Sequence, residues 1–67
     1  MAKVNGGLIR ESRKRACLTQ TELAKGICTP SMISQIENGK AIPSEELLSK
    51  LADRMGVPIA ALFEEIN

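Results

Sequence analysis

The sequence has no histidine, tryptophan or tyrosine, and Phe63 is its one aromatic residue. Without imidazole there is no His-based triad, no imidazole acid–base catalysis and no mixed Cys/His zinc site. Two cysteines, Cys17 and Cys28, are too few for a four-Cys zinc site. A single disulfide between them would be a poor scaffold, and no secretion signal is expected before them. Both are therefore read as reduced, packed thiols. The opening residues hold Lys3 but no apolar stretch. No apolar run approaches the roughly 18 residues of a membrane span, so no membrane partner is expected and the cytoplasm is the expected location.

What is present points to helices. A chain of 67 residues is expected to form one domain over 1–67. Its hydrophobic residues, 43% of the chain, are chiefly Leu, Ile, Val, Ala and Met, which suit packed helices better than a small sheet protein. Charged residues make up 25%, the globular average, which argues against wholesale disorder.

The net charge of +1 conceals a split. Residues 1–40 carry seven bases against three acids, and residues 41–67 carry two against five. A basic N-terminal half suggests a polyanion on that side, although a charge run is commonly a solvated face.

Start and stop signals divide the chain into five short helices. The first is expected over residues 6–15, opening at Gly6-Gly7. Thr19 stands three residues before Glu22, the spacing of a capping box, so the second is expected over 20–26. Thr29-Pro30 opens the third, and Asn38-Gly39 closes it after Glu37. Ala41-Ile42-Pro43 reads as an extended linker. Ser44 caps the fourth, over 45–55, which Gly56 stops. Pro58 then opens a fifth, to about residue 66. No strand pattern competes. The fold class expected is all-α, a compact five-helix domain.

The second and third helices carry the functional information. Only Ile27-Cys28-Thr29 joins them, which forces the sharp angle of a helix-turn-helix. At about 100° per residue, Ile33 and Ile36 share the buried face of the third helix. Ser31, Ser34 and Gln35 point away from it. They are short or amide side chains that donate and accept, and no carboxylate stands among them. Such a face can enter a DNA major groove and hydrogen-bond base edges, with Gln suited to adenine. It can equally be a solvated polar face.

The stretch from Leu18 to Ser44 resembles the phage-repressor and Cro-type helix-turn-helix family, also called the Xre family. The matching residues are Leu18-Thr19-Gln20, Glu22-Leu23-Ala24, Ser34-Gln35-Ile36-Glu37-Asn38-Gly39-Lys40 and Pro43. The resemblance continues through Leu51-Ala52 and Gly56-Val57 to Leu62-Phe63. The run Gly26 to Glu37 looks most like the N-terminal domain of peptide-responsive regulators that carry a tetratricopeptide-repeat receptor domain.

The resemblance implies a sequence-specific binder of double-stranded DNA that regulates transcription as a homodimer, most readily as a repressor. Pro30, Ser31, Ser34 and Gln35 match base-facing positions, with Pro30 equally explained as a helix initiator. Gln20, Asn38 and Lys40 match positions that contact the DNA backbone; Asn38 also serves as half of the Asn-Gly stop. Arg13 and Glu37 match an ion pair that fixes the recognition helix. Leu62, Phe63 and Ile66 are candidates for a dimer contact or for the core. Arg10, Lys14 and Arg15 have a DNA role or form a solvated face. No catalytic residue, metal or cofactor is implied, and any peptide or small-molecule effector would act through a region outside this chain.

One departure matters. The family often has glycine where Cys28 stands, and here Gly26 lies two residues earlier. A cysteine at positive φ would be strained, so the second helix is expected to end early at Gly26 with a rearranged turn. Cys28 then reads as a small buried apolar residue, or as a redox sensor. The rival functional reading is a protein-interaction module of the same fold, of the antitoxin or coactivator type, with Glu45, Glu46, Glu64 and Glu65 as an acidic docking face.

Overall fold

A computed structural model describes residues 2–65. Asn5 starts the first helix, α1 (Gly6–Arg15), because its side-chain carbonyl accepts the N–H groups of Gly7 at 2.7 Å and Leu8 at 3.2 Å. Those donors would otherwise have no partner within the helix. Gly6-Gly7 therefore follows the start signal rather than supplying it.

α2 (Gln20–Ala24) opens with a complete capping box. Thr19 Oγ1 accepts the Glu22 N–H at 3.0 Å, and Glu22 Oε1 accepts the Thr19 N–H at 2.9 Å. The helix ends at Ala24, not at residue 26. Lys25 turns extended, Gly26 takes φ +77°, and the Ile27 and Cys28 N–H groups both close on the Ala24 carbonyl, at 2.8 and 2.9 Å. Gly26 thus absorbs the left-handed conformation, and Cys28 is spared it.

α3 (Pro30–Glu37) has Thr29 as its cap and Pro30 in its first turn. Its far end closes in a Schellman motif: Gly39, at φ +75°, donates to Ile36 O at 3.1 Å, and Lys40 donates to Gln35 O at 2.8 Å. α4 (Glu45–Met55) runs from a Ser44 cap to Gly56 at φ +72°.

The fifth helix is not there. Pro58 instead precedes a single 3-10 turn, Ile59–Leu62, of which only Leu62 is buried. Phe63 is already extended and opens a strand, β2 (Phe63–Glu65), which pairs antiparallel with β1 (Ala2–Val4). The register is Ala2 with Glu65, Lys3 with Glu64 and Val4 with Phe63. The domain is mainly helical, with four α-helices and a two-stranded ribbon among the described residues. The expectation of no strand fails because each strand is three residues long, too short to show an alternating pattern.

The core is aliphatic. Ile9, Leu23, Ala24, Ile33, Ile36, Leu48, Leu51, Ala52, Met55 and Leu62 are buried together, and Phe63 packs on their edge. α2 lies on α3 and α4, while α1 lies on α3 and the 3-10 turn. Ile33 and Ile36 supply the face of α3 that meets the core, so its outward face is left to solvent. None of the helices among the described residues is long and apolar enough to cross a membrane.

Candidate nucleic-acid interface

Three elements meet at one carboxylate. Glu37, on the last turn of α3, receives Arg13 of α1 in a fork: Nε donates to Oε2 at 2.7 Å and Nη2 to Oε1 at 3.1 Å. Gln20 at the start of α2 donates its Nε2 to the same Oε1 at 3.1 Å. Arg13 Nη1 also donates to the Leu18 carbonyl, at 2.9 Å, in the link between α1 and α2. The side chains of Glu37 and Arg13 are only 3% and 11% exposed. A bidentate pair this dry, with its remaining groups hydrogen-bonded, fixes geometry well. Its effect is to lock α3 against both preceding helices.

Locking Glu37 inward also removes the only charge of α3 from its outer surface. What remains outside is Pro30, Ser31, Met32 and Gln35, all exposed, with Ser34 half-buried. Ser34 Oγ accepts a long hydrogen bond from Asn38 Nδ2, at 3.4 Å, so these two polar groups already meet one turn apart. Asn38 and Lys40 are exposed just beyond the helix, with the Lys40 backbone held by the Schellman motif. Gln20 is half-buried beside Glu37 rather than loose at a helix start. The structure therefore brings Gln20, Ser34, Gln35, Asn38 and Lys40 around one end of α3. Ser31 and Pro30 stand at its other end.

The dimer candidates fare differently. Leu62 is fully buried in this chain and has no surface to offer a second copy. Phe63 is half-buried against the core, and Ile66 lies outside the described residues.

Two features of the site escape a reading of the sequence. Gly6 packs so tightly on α3 that a Cβ there would sit 2.4 Å from the Ile36 carbonyl oxygen and 2.6 Å from that of Glu37. Met32, at the start of α3, is 38% exposed and adds an apolar group beside Pro30 and Ser31. The Gly6-Gly7 pair is the only signal for the first feature. For the second, helical spacing places Met32 no further out than the flank.

Cys28, in the turn before α3, is half-buried, and burial pushes its thiol above the usual cysteine range.

A family model described as helix-turn-helix matches residues 9–62. The chain belongs to that family, in its Xre type. One relative is the ImmF control region 10 kDa protein of Bacillus phage phi105, 44% identical over 48 residues, or 70% of this chain and 53% of the relative. Another is multiprotein-bridging factor 1 of Candida albicans, 40% identical over 55 residues, 81% of this chain and 36% of that protein. The chain thus spans about half of the phage relative and about a third of the fungal one. Among solved structures, Bacillus thuringiensis PlcR in complex with the peptide PapR7 and DNA superposes with a TM-score of 0.80 at 35% identity. That match covers 85% of this chain and 20% of PlcR.

Proposed function

We propose that this chain is a transcription regulator that binds double-stranded DNA in a sequence-specific manner, with α3 in the major groove. The observation that carries the reading is the outer face of α3: uncharged, polar, and rigidly held because Glu37 is turned inward onto Arg13 and Gln20. A duplex repels exposed carboxylates and rewards donors and acceptors on a fixed frame. Ser31, Ser34 and Gln35 read base edges, and Pro30 offers apolar contact to a thymine methyl. Gln20, Asn38 and Lys40 position the helix on phosphates. Gln20 spends one amide N–H on Glu37 and has a second for a phosphate.

One short recognition helix makes few contacts, so the protein acts as a homodimer on an inverted repeat. Occupancy of that site represses transcription. The likeness to PlcR, solved with a peptide and DNA, supports an effector acting through a region outside this chain.

A second reading is favoured by the fungal bridging-factor relative. In it the same fold docks on protein and reads no sequence.

Selection of bound sequences from a random duplex library, followed by affinity measured across a salt series, separates the two. The DNA reading expects an enriched inverted repeat and a log–log salt slope matching about four or more phosphate contacts. Binding that is weak and without enrichment rejects it and favours the docking module.

A further inference from the structure

Several of the described cations are already engaged. Arg13 belongs to Glu37, Arg15 pairs with Glu11 at 2.7 Å, Lys50 lies 3.6 Å from Glu46, and Arg54 donates to the Glu22 carbonyl at 3.0 Å. Lys3 faces Glu64 across the ribbon. Arg10 and Lys14 are exposed, one helical turn apart on α1, and no described carboxylate bridges to either.

Their position on α1 is fixed by their neighbours. Gly6 abuts the carbonyls of Ile36 and Glu37, and Arg13 holds the Glu37 side chain, so the line through residues 6 and 13 faces α3. At about 100° per residue, Arg10 lies next to that line on the outer side, and Lys14 follows it. Glu11 and Arg15 lie further round, away from α3. Residues 8, 12 and 16 lie on the opposite side of the core-facing line. Arg10 and Lys14 thus occupy the flank of α1 that adjoins α3. Between them the surface dips, because Gly7 has no side chain, leaving a shallow hollow bordered by Arg10, Glu11, Lys14 and Arg15.

We propose that this flank, Arg10 and Lys14 with the hollow over Gly7, is a second phosphate-binding strip that lies on the backbone of the duplex whose groove α3 enters. The inference rests on the DNA reading above and extends it from α3 to α1. A ridge of phosphates can approach the helix closely at Gly7 while the two long side chains reach to either side. These contacts carry charge and no base information, so they add affinity and leave preference alone.

The test compares the protein with R10Q/K14Q, which keeps side-chain length and helix propensity. The probe is the selected duplex, titrated over a salt series. The expected result is a log–log slope smaller by about 1.8, since each lost phosphate contact removes about 0.9. Affinity near 0.1 M salt should fall by roughly tenfold to a hundredfold, with the ranking of variant duplexes unchanged. K50Q is the control: it removes an exposed charge from α4, outside the strip, and its slope should stay within error of the parent. An unchanged slope in R10Q/K14Q, with the parent binding steeply, overturns the strip and leaves the DNA reading intact. An equal drop in K50Q reduces the effect to net charge and also overturns it. A parent that binds no duplex overturns both. Matching circular dichroism melts establish that the variants are folded.

Discussion

Cys17 occupies a backbone position that favours glycine. Its φ of +60° is the one positive value of any non-glycine residue described. It closes α1 in a Schellman motif, with Cys17 N–H on Lys14 O at 3.0 Å and Leu18 N–H on Arg13 O at 3.1 Å. A β-carbon there costs roughly 1–2 kcal/mol, some of which glycine gives back through its freer unfolded chain. Cys17→Gly should therefore stabilise the fold by about 1 kcal/mol, raising the thermal midpoint by about 4–8 °C. A midpoint that stays or drops would contradict the assignment. The sequence directs suspicion to the wrong cysteine, because the family's turn glycine aligns with Cys28, whereas the sign of φ at residue 17 depends on where α1 stops.

Glu22 makes a second residue-scale case. Its carboxylate is held below the usual range first by the Thr19 N–H, then by the Thr19 side chain, with Arg54 assisting. A folded value below the unfolded one means stability that is present above the unfolded value of about 4.3. It is lost as pH falls through the lowered folded value. Glu22→Gln retains an acceptor for the capping box but cannot titrate. Thermal melts from pH 7 to pH 3 should show the parent losing more stability than the variant across the acid limb. Parallel curves would remove Glu22 from the acid response.

Among the elements, α1 and α3 are set by contact at a point with no side chain. Alanine at position 6 would favour the helix on propensity alone, by up to about 1 kcal/mol. The distances decide otherwise, since the new Cβ would strike two backbone carbonyls rather than a yielding side chain. Gly6→Ala should destabilise by about 1–3 kcal/mol, the range of overpacked sites, measured by denaturant unfolding. A variant as stable as the parent would mean that the end of α3 gives way freely. At this scale the sequence is most readable. Thr19, Thr29, Ser44, Gly39 and Gly56 are local signals, and they bound three helices within a residue or two. Pro58 misleads, because proline precedes a 3-10 turn as readily as a helix and only Leu62 follows it into the core.

Across the whole molecule, local signals give way to partnerships between distant residues. Arg13 and Glu37 are 24 positions apart, and only the family resemblance links them in advance. Nothing linear announces that Gln20 joins them, because that depends on how α2 leans on α3. The outer face of α3 can be read from helical spacing, but its freedom from charge depends on this three-way contact. The ribbon is equally non-local: β1 and β2 are drawn from opposite ends of the described chain.

That ribbon has a mechanical meaning. Ala2 and Glu65 face each other at its open end, and Val4 and Phe63 at its inner end. Tension applied through residues 2 and 65 would therefore load the strands in peeling, not in shear. The pairs would separate in succession, outermost first, at low force. Only after Val4 left Phe63 would the pull reach the Asn5 N–H bond to the Leu62 carbonyl and the aliphatic interior behind it. A tug from either flank is spent on this zip, and the α2–α3 pair keeps its shape while it opens.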